Sequence, residues 1–332
     1  MRRVVRRPLD ASELVEALFA GNRRALARSI THVEADSAIG REVLRQVYPR
    51  TGRAQTVGIT GSAGSGKSTV IGALAREERK RGRTVGIVAV DPSSPFSHGA
   101  ILGDRIRMQD LTSDQGVFLR SMASRGTFGG LSETATGAID LMDAAGFDVV
   151  LVETVGAGQD EVEVATAAQT TVLVANPGGG DEIQSMKAGL MEVAQIMVVN
   201  KADLAGADTA VAQLRALLAI ANFQSWTPPI LKAVARANEG IEEIVDAIDL
   251  HQAHVRSPEH ADAERQRHVR GQIINLARAA LHREALEAAD RSGSLRALVD
   301  AVAERERDPR SAALELLEGL RRSWASSSDF DA

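Results

Sequence analysis

Short apolar runs alternate with longer amphipathic segments through the middle of the chain. Seven of these runs have the length and aliphatic composition of buried strands, and they begin near Thr56, Thr84, Val117, Asp148, Thr170, Ile196 and Pro229. The segments between them show helical periodicity, as in Lys67 to Arg81, where Val70, Ile71 and Leu74 share one face. The alternation predicts an α/β fold, a doubly wound, mostly parallel sheet with helices on both faces.

Helical patterns continue on both sides of the predicted sheet. Before it, apolar residues recur at helical spacing over about residues 10–49, at Leu14, Leu18, Leu26 and Ile30. After it, helices are predicted over Arg265–Ala289, over Leu295–Arg307, and from an Asp308 N-cap and a first-turn Pro309 through Arg321. These last helices are amphipathic, so they could either cover the sheet domain or form an arm.

These patterns divide the chain into four expected segments. They are a helical N-terminal extension (1–50), the sheet domain (51–250), a helical C-terminal region (251–325) and a disordered tail (326–332).

Composition narrows the classes of function. The net charge of −5 over 332 residues gives no broad field for nucleic acid. The absence of cysteine excludes disulfides and thiolate metal sites, and it fits a reducing compartment. The basic start, Met1 to Arg7, lacks the apolar stretch of a secretory signal, and no run approaches the length of a membrane span. We therefore expect a cytoplasmic protein with neither nucleic-acid nor membrane partners.

A complete phosphate-binding motif, G-x-x-x-x-G-K-[ST], follows the first predicted strand and opens a helix. In this motif the glycines, which have no Cβ, would let backbone N–H groups surround the phosphate oxygens closely. Lys67 would reach the β- and γ-phosphates, and Ser68 would ligate Mg²⁺. The candidate nucleotide contacts are Gly61, Ser62, Ala63, Gly64, Ser65, Gly66, Lys67, Ser68 and Thr69.

A second motif, N-K-x-D, follows the strand that ends at Asn200. Asp203 can accept hydrogen bonds from N1–H and the exocyclic amine of guanine. Adenine has no N1–H, so ATP would leave this carboxylate unpaired. The Lys201 stem can lie over the ring, and Asn200 is interpreted as bracing the surrounding loops. The two motifs together predict a site for GTP and GDP.

Acidic residues at further strand ends predict the magnesium site. Glu153 ends an apolar strand, and Asp91 and Asp104 are further candidates for the Mg²⁺ shell. Gly156 could offer its N–H to the γ-phosphate, and Arg107 is a candidate phosphate or partner contact. On the residues alone, the region from Asp91 to Met108 is equally consistent with these roles and with a proline-rich turn followed by a surface helix. The candidate catalytic residues are Lys67, Glu153, Gly156 and Arg107.

The residue after Gly156 bears on the rate of hydrolysis. Many GTP hydrolases place a water-orienting glutamine there, but this chain has Ala157, and the nearest glutamine is Gln159. We expect slow hydrolysis by the protein alone and acceleration by a partner.

Several longer segments are similar to one known family. They are Val57–Thr69, Val90–Met108 with D-P-S-S-P-F, Arg120–Leu131, Phe147–Val164 with E-T-V-G-A-G-Q, Pro177–Gly189 and Val199–Leu204. In these the chain resembles the MeaB/ArgK GTPases, the G-protein chaperones of methylmalonyl-CoA mutase.

The resemblance implies roles for residues that spacing alone leaves undetermined. Asp91, Asp104 and Glu153 would form the Mg²⁺ shell, and Gly178–Lys187 would be an extra switch that reports the nucleotide to an adenosylcobalamin-dependent acyl-CoA mutase. The implied switch or partner residues are Gln159, Asp181, Gln184 and Lys187. The C-terminal helices would pair two protomers as a homodimer.

Two positions depart from the family pattern. His98 stands where threonine or valine is usual, and Lys232-Ala-Val-Ala235 stands where a base-contacting Ser-Ala is common. The backbone of Val234 and Ala235 could still meet the guanine carbonyl.

Two other functions stay open from the residues. One is an ATP-dependent kinase of a transport protein, which Asp203 argues against. The other is a metal-delivery GTPase of the nickel type, for which His251 and His254 lie three residues apart but lack an evident third ligand.

Overall fold

One seven-stranded sheet forms the centre of the part of the chain that the structure describes. The computed structural model describes residues 9–92, 109–124, 130–153, 167–177, 194–220 and 225–326. The strands lie in the order β3-β2-β4-β1-β5-β6-β7, and each neighbouring pair is parallel. They are β1 Gln55–Thr60, β2 Val85–Pro92, β3 Val117–Ser124, β4 Val149–Glu153, β5 Thr170–Ala175, β6 Ile196–Asn200 and β7 Ile230–Ala233. The predicted fold class is confirmed.

Helices precede, interrupt and follow the strands. In chain order, those described are α1 Ala11–Phe19, α2 Arg23–Glu34, α3 Ala38–Val47, α4 Lys67–Lys80, α5 Gln109–Thr112, α6 Gly130–Ala144, α7 Ala207–Ile220, α8 Ile241–Val255, α9 Ala261–Ser292, α10 Ser294–Ala303 and α11 Pro309–Ser326. The side chain of Asp10 caps the first helix in a capping box with Glu13.

Strands β4, β5 and β6 are buried along their whole length because helices cover both faces of the sheet. On one face, α4 and α8 pack against alternate strand residues such as Ile59, Ile87 and Leu151. On the other face, α1 to α3 and α6 cover strand residues that include Val88 and Val152. Helix α7 covers Leu173, Ala175, Met197 and Val199, at the β5–β6 end of the sheet.

The chain divides into two compact units, Met1–Ile273 and Ile274–Ala332. In the second unit, α10 ends at Ala303, whereas the sequence pattern predicts helix to Arg307. Arg305 adopts a φ of 61°, which ends the helix, and the carboxylate of Asp308 then accepts from the amides of Arg310 and Ser311, each at 3.0 Å. Several large apolar side chains of this unit are exposed, among them Leu281 (53%), Val299 (56%), Leu314 (56%) and Leu317 (51%).

Among the described residues, the helices are all too short or too polar to cross a membrane. Residues 327–332, most of the segment expected to be a disordered tail, lie outside the described part.

Candidate nucleotide site

The phosphate loop connects the carboxyl end of β1 to the amino end of α4, at the edge of the sheet where parallel α/β proteins bind ligands. Two of its glycines are required by close approach as well as by backbone angle. A Cβ on Gly61, at φ 140°, would lie 2.0 Å from the Val174 carbonyl oxygen, and one on Gly66, at φ 94°, would lie 2.4 Å from Asn200 Nδ2. The loop is therefore fixed between β5 and β6. Its amides and the uncapped start of α4 suit an anion.

Lys67 is folded back over this loop. Its Nζ donates to the carbonyl oxygens of Gly61 at 2.6 Å and Ser62 at 3.1 Å, and the residue is only 8% exposed. The ammonium group thus lies over the concave side of the loop, where bound phosphates would replace these carbonyls as its partners.

Ser68 and Glu153 come together although they are far apart in the sequence. Ser68 Oγ donates to Glu153 Oε1 at 2.5 Å, and Glu153, at the end of β4, is 6% exposed. A hydroxyl and a carboxylate oxygen are hard donors of the kind that Mg²⁺ prefers, so this pair fits the predicted metal. Asp91 lies on the neighbouring strand, two residues beyond the Ala89–Glu153 pairing.

Asn200 fastens the base loop to the phosphate loop. Its side chain is buried at the end of β6, with Nδ2 donating to the Ser65 carbonyl at 2.8 Å. Its Oδ1 accepts from the amide of Ala235 at 3.2 Å. One buried side chain therefore connects three loops.

Lys201 and Asp203 are placed for two different contacts. Lys201 has a φ of 57°, and its Nζ donates to the Gly64 carbonyl at 2.7 Å, so its stem extends from the base loop to the phosphate loop. Asp203 is exposed, and within the described chain its carboxylate has no hydrogen bond or ion pair. A carboxylate in this state can accept both donors of a guanine edge.

Backbone hydrogen bonds and one glycine hold the loop after β7 in place, and the sequence motifs do not predict them. The amide of Ala202 donates to the Ala233 carbonyl at 3.0 Å, and that of Val234 donates to the Glu239 carbonyl at 3.0 Å. At Gly240, with a φ of 74°, a Cβ would lie 2.1 Å from the Lys232 carbonyl oxygen. The Asn238-Glu239-Gly240 sequence is a recognisable turn signal for this arrangement. The Ala235 amide, a candidate guanine contact, already donates to Asn200.

Several predicted residues fall outside the described part of the chain. These are Asp104, Arg107, Gly156, Gln159, Asp181, Gln184, Lys187 and also His98. For Asp91 the backbone alone is described.

His251 and His254, which were considered above as metal ligands, pack against neighbouring side chains. His251 is 4% exposed, its Nδ1 lies 2.8 Å from Thr170 Oγ1, and its ring packs against Trp226 with centroids 4.8 Å apart. Burial, followed by the charge of His254, lowers the pKa of His251 to about 4, so it is neutral near pH 7. Within the described residues there is no group of three or more His, Cys, Asp or Glu side chains placed to hold a metal ion.

The parallel sheet, the phosphate loop and the strand-end carboxylate define a P-loop nucleotide-binding protein. The sequence profile of the family described as methylmalonyl Co-A mutase-associated GTPase MeaB matches residues 26–290. The chain belongs to this family and is a GTPase.

Individual relatives agree with this assignment. A protein of Pyrococcus abyssi is 44% identical over 312 residues, 93% of this chain and 96% of that protein. The GTPase ArgK of Escherichia coli is 39% identical over 247 residues, 71% of this chain and 74% of ArgK. The solved structure of a LAO/AO transport system kinase has a TM-score of 0.71 and 28% identity, and the match covers 94% of this chain and 97% of that one.

Proposed function

We propose that this GTPase is a cytoplasmic switch for an adenosylcobalamin-dependent acyl-CoA mutase of the methylmalonyl-CoA type, and that it gates loading of the cofactor and protects or reactivates the mutase. The membership of the MeaB family supports this partner. A mitochondrial mouse protein named methylmalonic aciduria type A homolog is 35% identical over 254 residues, 71% of this chain and 61% of the mouse protein.

The observation that best supports a guanine-nucleotide site is the pair of hydrogen bonds that the Asn200 side chain makes. Because Asn200 binds Ser65 and Ala235 at once, hydrogen bonds within the protein hold the phosphate loop and both base loops together. The exposed carboxylate of Asp203 lies in one of these loops. A guanine base would satisfy it with two donors, whereas adenine would not, and a desolvated unpaired carboxylate is costly. We infer selection for GTP and GDP over ATP.

Hydrolysis in this site would depend on charge stabilisation more than on proton transfer by a side chain. Lys67 would shift from the Gly61 and Ser62 carbonyls to the β- and γ-phosphates. Ser68 and Glu153 would hold Mg²⁺, directly or through water, and the ion would neutralise charge on the transferring phosphoryl group. Since Ala157 stands where a water-orienting glutamine is common, turnover is expected to be slow until the partner binds.

The second unit supports a homodimer. Leu314 and Leu317 are 56% and 51% exposed and lie one turn apart on α11, so a stripe of apolar side chains faces outward there. Pairing of two copies would remove such a stripe from water.

The decisive experiment measures GTP turnover and cofactor transfer with and without a purified adenosylcobalamin-dependent mutase. We expect stimulation of turnover of at least about tenfold, and a cofactor-loading rate that differs between GTP and a non-hydrolysable analogue. Rapid turnover that no such mutase changes would remove the switch from consideration. Equal affinity for ATP and GTP would instead favour a kinase, the activity in the name of the LAO/AO relative.

A further inference from the structure

A cleft separate from the nucleotide site opens at the opposite side of the sheet, where the amino ends of the strands lie. The turn between α1 and α2 forms one wall, and the residues that lead into β2, β3 and β4 form the other. Its volume of about 440 Å³ lies within the range of small-molecule sites. Nothing in GTP binding accounts for it, since nucleotides bind at the carboxyl ends of parallel strands.

The floor of this cleft is apolar and rigid. Leu18, Leu26, Ala145 and Phe147 line it. Leu18 and Leu26 are only 1% and 3% exposed and belong to the core beneath the sheet, so they cannot turn away from a ligand. A floor of this kind favours a ligand with a short apolar body.

Arg23 is a fixed cation at the rim. Its Nη1 donates to the Gln115 carbonyl at 2.6 Å, its Nη2 donates to the Val117 carbonyl, and its guanidinium carbon lies 5.5 Å from the centroid of the Phe118 ring. A guanidinium has more N–H groups than these two carbonyls use. Within the described chain Arg23 forms no ion pair, although Asp114, which is paired with Arg79 at 2.9 Å, has its pKa lowered by Arg79 and, to a smaller extent, by the charge of Arg23.

The other polar groups at the rim leave room for an anion. Asn22 Oδ1 accepts from the amides of Arg24 and Ala25, so its amide nitrogen is the group that can face a ligand. The acid nearest to the lining residue Thr84 is Asp148, whose Oδ2 accepts from the amide and the hydroxyl of Thr84, each at 2.7 Å. Its charge is therefore already partly satisfied.

We propose that this cleft is a second ligand site, and that it binds a small amphipathic carboxylate. The carboxylate would lie against Arg23 and Asn22, and a short alkyl or aryl body would cover the apolar floor. A guanidinium already held in place by two carbonyls loses little freedom when it binds an anion, which suits a low-molecular-weight ligand.

The test is a titration of the full chain, with ¹³C-labelled leucine methyl groups, against hexanoate, hexan-1-ol and inorganic phosphate. We expect saturable shifts at Leu18 and Leu26, with hexanoate binding at least about tenfold more tightly than hexan-1-ol. Arg23→Gln should reduce hexanoate to the affinity of the alcohol. Arg24→Gln, the adjacent exposed arginine, is the matched control and should leave it unchanged.

A variant that keeps Arg23 tests whether the apolar floor of the cleft contacts the ligand. Ala145→Leu fills the floor and should weaken hexanoate and hexan-1-ol together, while GDP affinity reports an intact fold. If Arg23→Gln does not fold, Ala145→Leu decides alone. The proposal is overturned by shifts that do not saturate at Leu18 and Leu26, by equal affinity for hexanoate and the alcohol, or by phosphate binding as tightly as hexanoate.

Discussion

The side-chain amide of Asn200 donates to the main-chain carbonyl of Ser65 at 2.8 Å, across 135 positions of sequence. Both residues are buried, Asn200 at 2% exposure and Ser65 at 0%. The same side chain accepts from the Ala235 amide. The base loops therefore cannot separate from the phosphate loop without leaving buried polar groups unpaired, which couples recognition of the base to binding of the phosphates.

Asn200→Ala should weaken GTP and GDP alike by about ten- to a hundredfold. The reason is that the Ser65 carbonyl and the Ala235 amide lose a buried partner, at about 1–3 kcal/mol. Displacement of a fluorescent GDP analogue measures both affinities. Asn200→Asp can still accept from Ala235 but sets a buried carboxylate oxygen against the Ser65 carbonyl, so we expect a loss at least as large as that of alanine. An alanine variant with parental affinity would show that the connection is incidental.

Asp203→Asn should reverse the base preference. Asparagine offers one donor and one acceptor, which matches the N1–H and C2 carbonyl of xanthine, whereas two guanine donors require two acceptors. The ratio of GTP to XTP affinity should fall at least about a hundredfold. Asp208→Asn, in the first turn of the following helix and paired with Lys232, is the control and should keep the parental ratio. If both variants move the ratio equally, a general charge effect is responsible.

Glu153→Gln should raise the Mg²⁺ concentration needed for half-maximal hydrolysis at least about tenfold. Glutamine removes the charge but keeps an oxygen for Ser68, so the protein should fold while it binds the metal more weakly. Hydrolysis assayed over a Mg²⁺ series gives the midpoint, and GDP affinity measured in EDTA serves as the control that should not change. An unchanged midpoint would exclude Glu153 from the metal shell.

The free energy of unfolding should decrease as the pH rises, because of Asp140. Burial, and then the charge of Asp143, raise the pKa of Asp140 from 3.8 to about 7. Between pH 4 and 7 the unfolded chain loses this proton and the folded chain keeps it, so the free energy of unfolding declines across that window, by at most about 4 kcal/mol. Above pH 7 this contribution is constant.

Asp140→Asn should remove that decline. Urea unfolding at pH 5 and pH 8 should show the variant gaining on the parent as pH rises, because asparagine does not ionise. Exposed Glu243→Gln on α8 provides the control, with no gain at either pH. A parent whose stability is flat between the two pH values would contradict the assignment.

The strands could be predicted from the sequence because burial on both faces makes most residues in each run apolar. The phosphate motif likewise places its loop, since Gly61-to-Ser68 carries its own backbone requirements. The distance between Ser68 and Glu153, or between Asn200 and Ser65, could not be predicted, because it depends on which strands become neighbours. The order of β4, β1, β5 and β6 is a property of the whole sheet.

Local competition explains smaller differences between sequence and structure. The helix predicted over Leu295–Arg307 ends at Ala303, because Arg305 lies in the left-handed region, and Asp308 then caps α11. The hydrogen bond from the Ala235 amide to Asn200 could not be predicted either, because a backbone amide has no signature in the sequence.

The double substitution Leu314→Gln and Leu317→Gln should weaken self-association at least about tenfold. Both side chains are more than half exposed on one turn of α11, so they stabilise the folded protomer little, and pairing with another copy would cover them. Sedimentation over a concentration series should give a dimer for the parent and a monomer for the variant. Glu318→Gln, exposed on the same helix, should stay dimeric. A parent that sediments as a monomer at every concentration would rule out the homodimer, and a variant that remains dimeric would place the interface elsewhere.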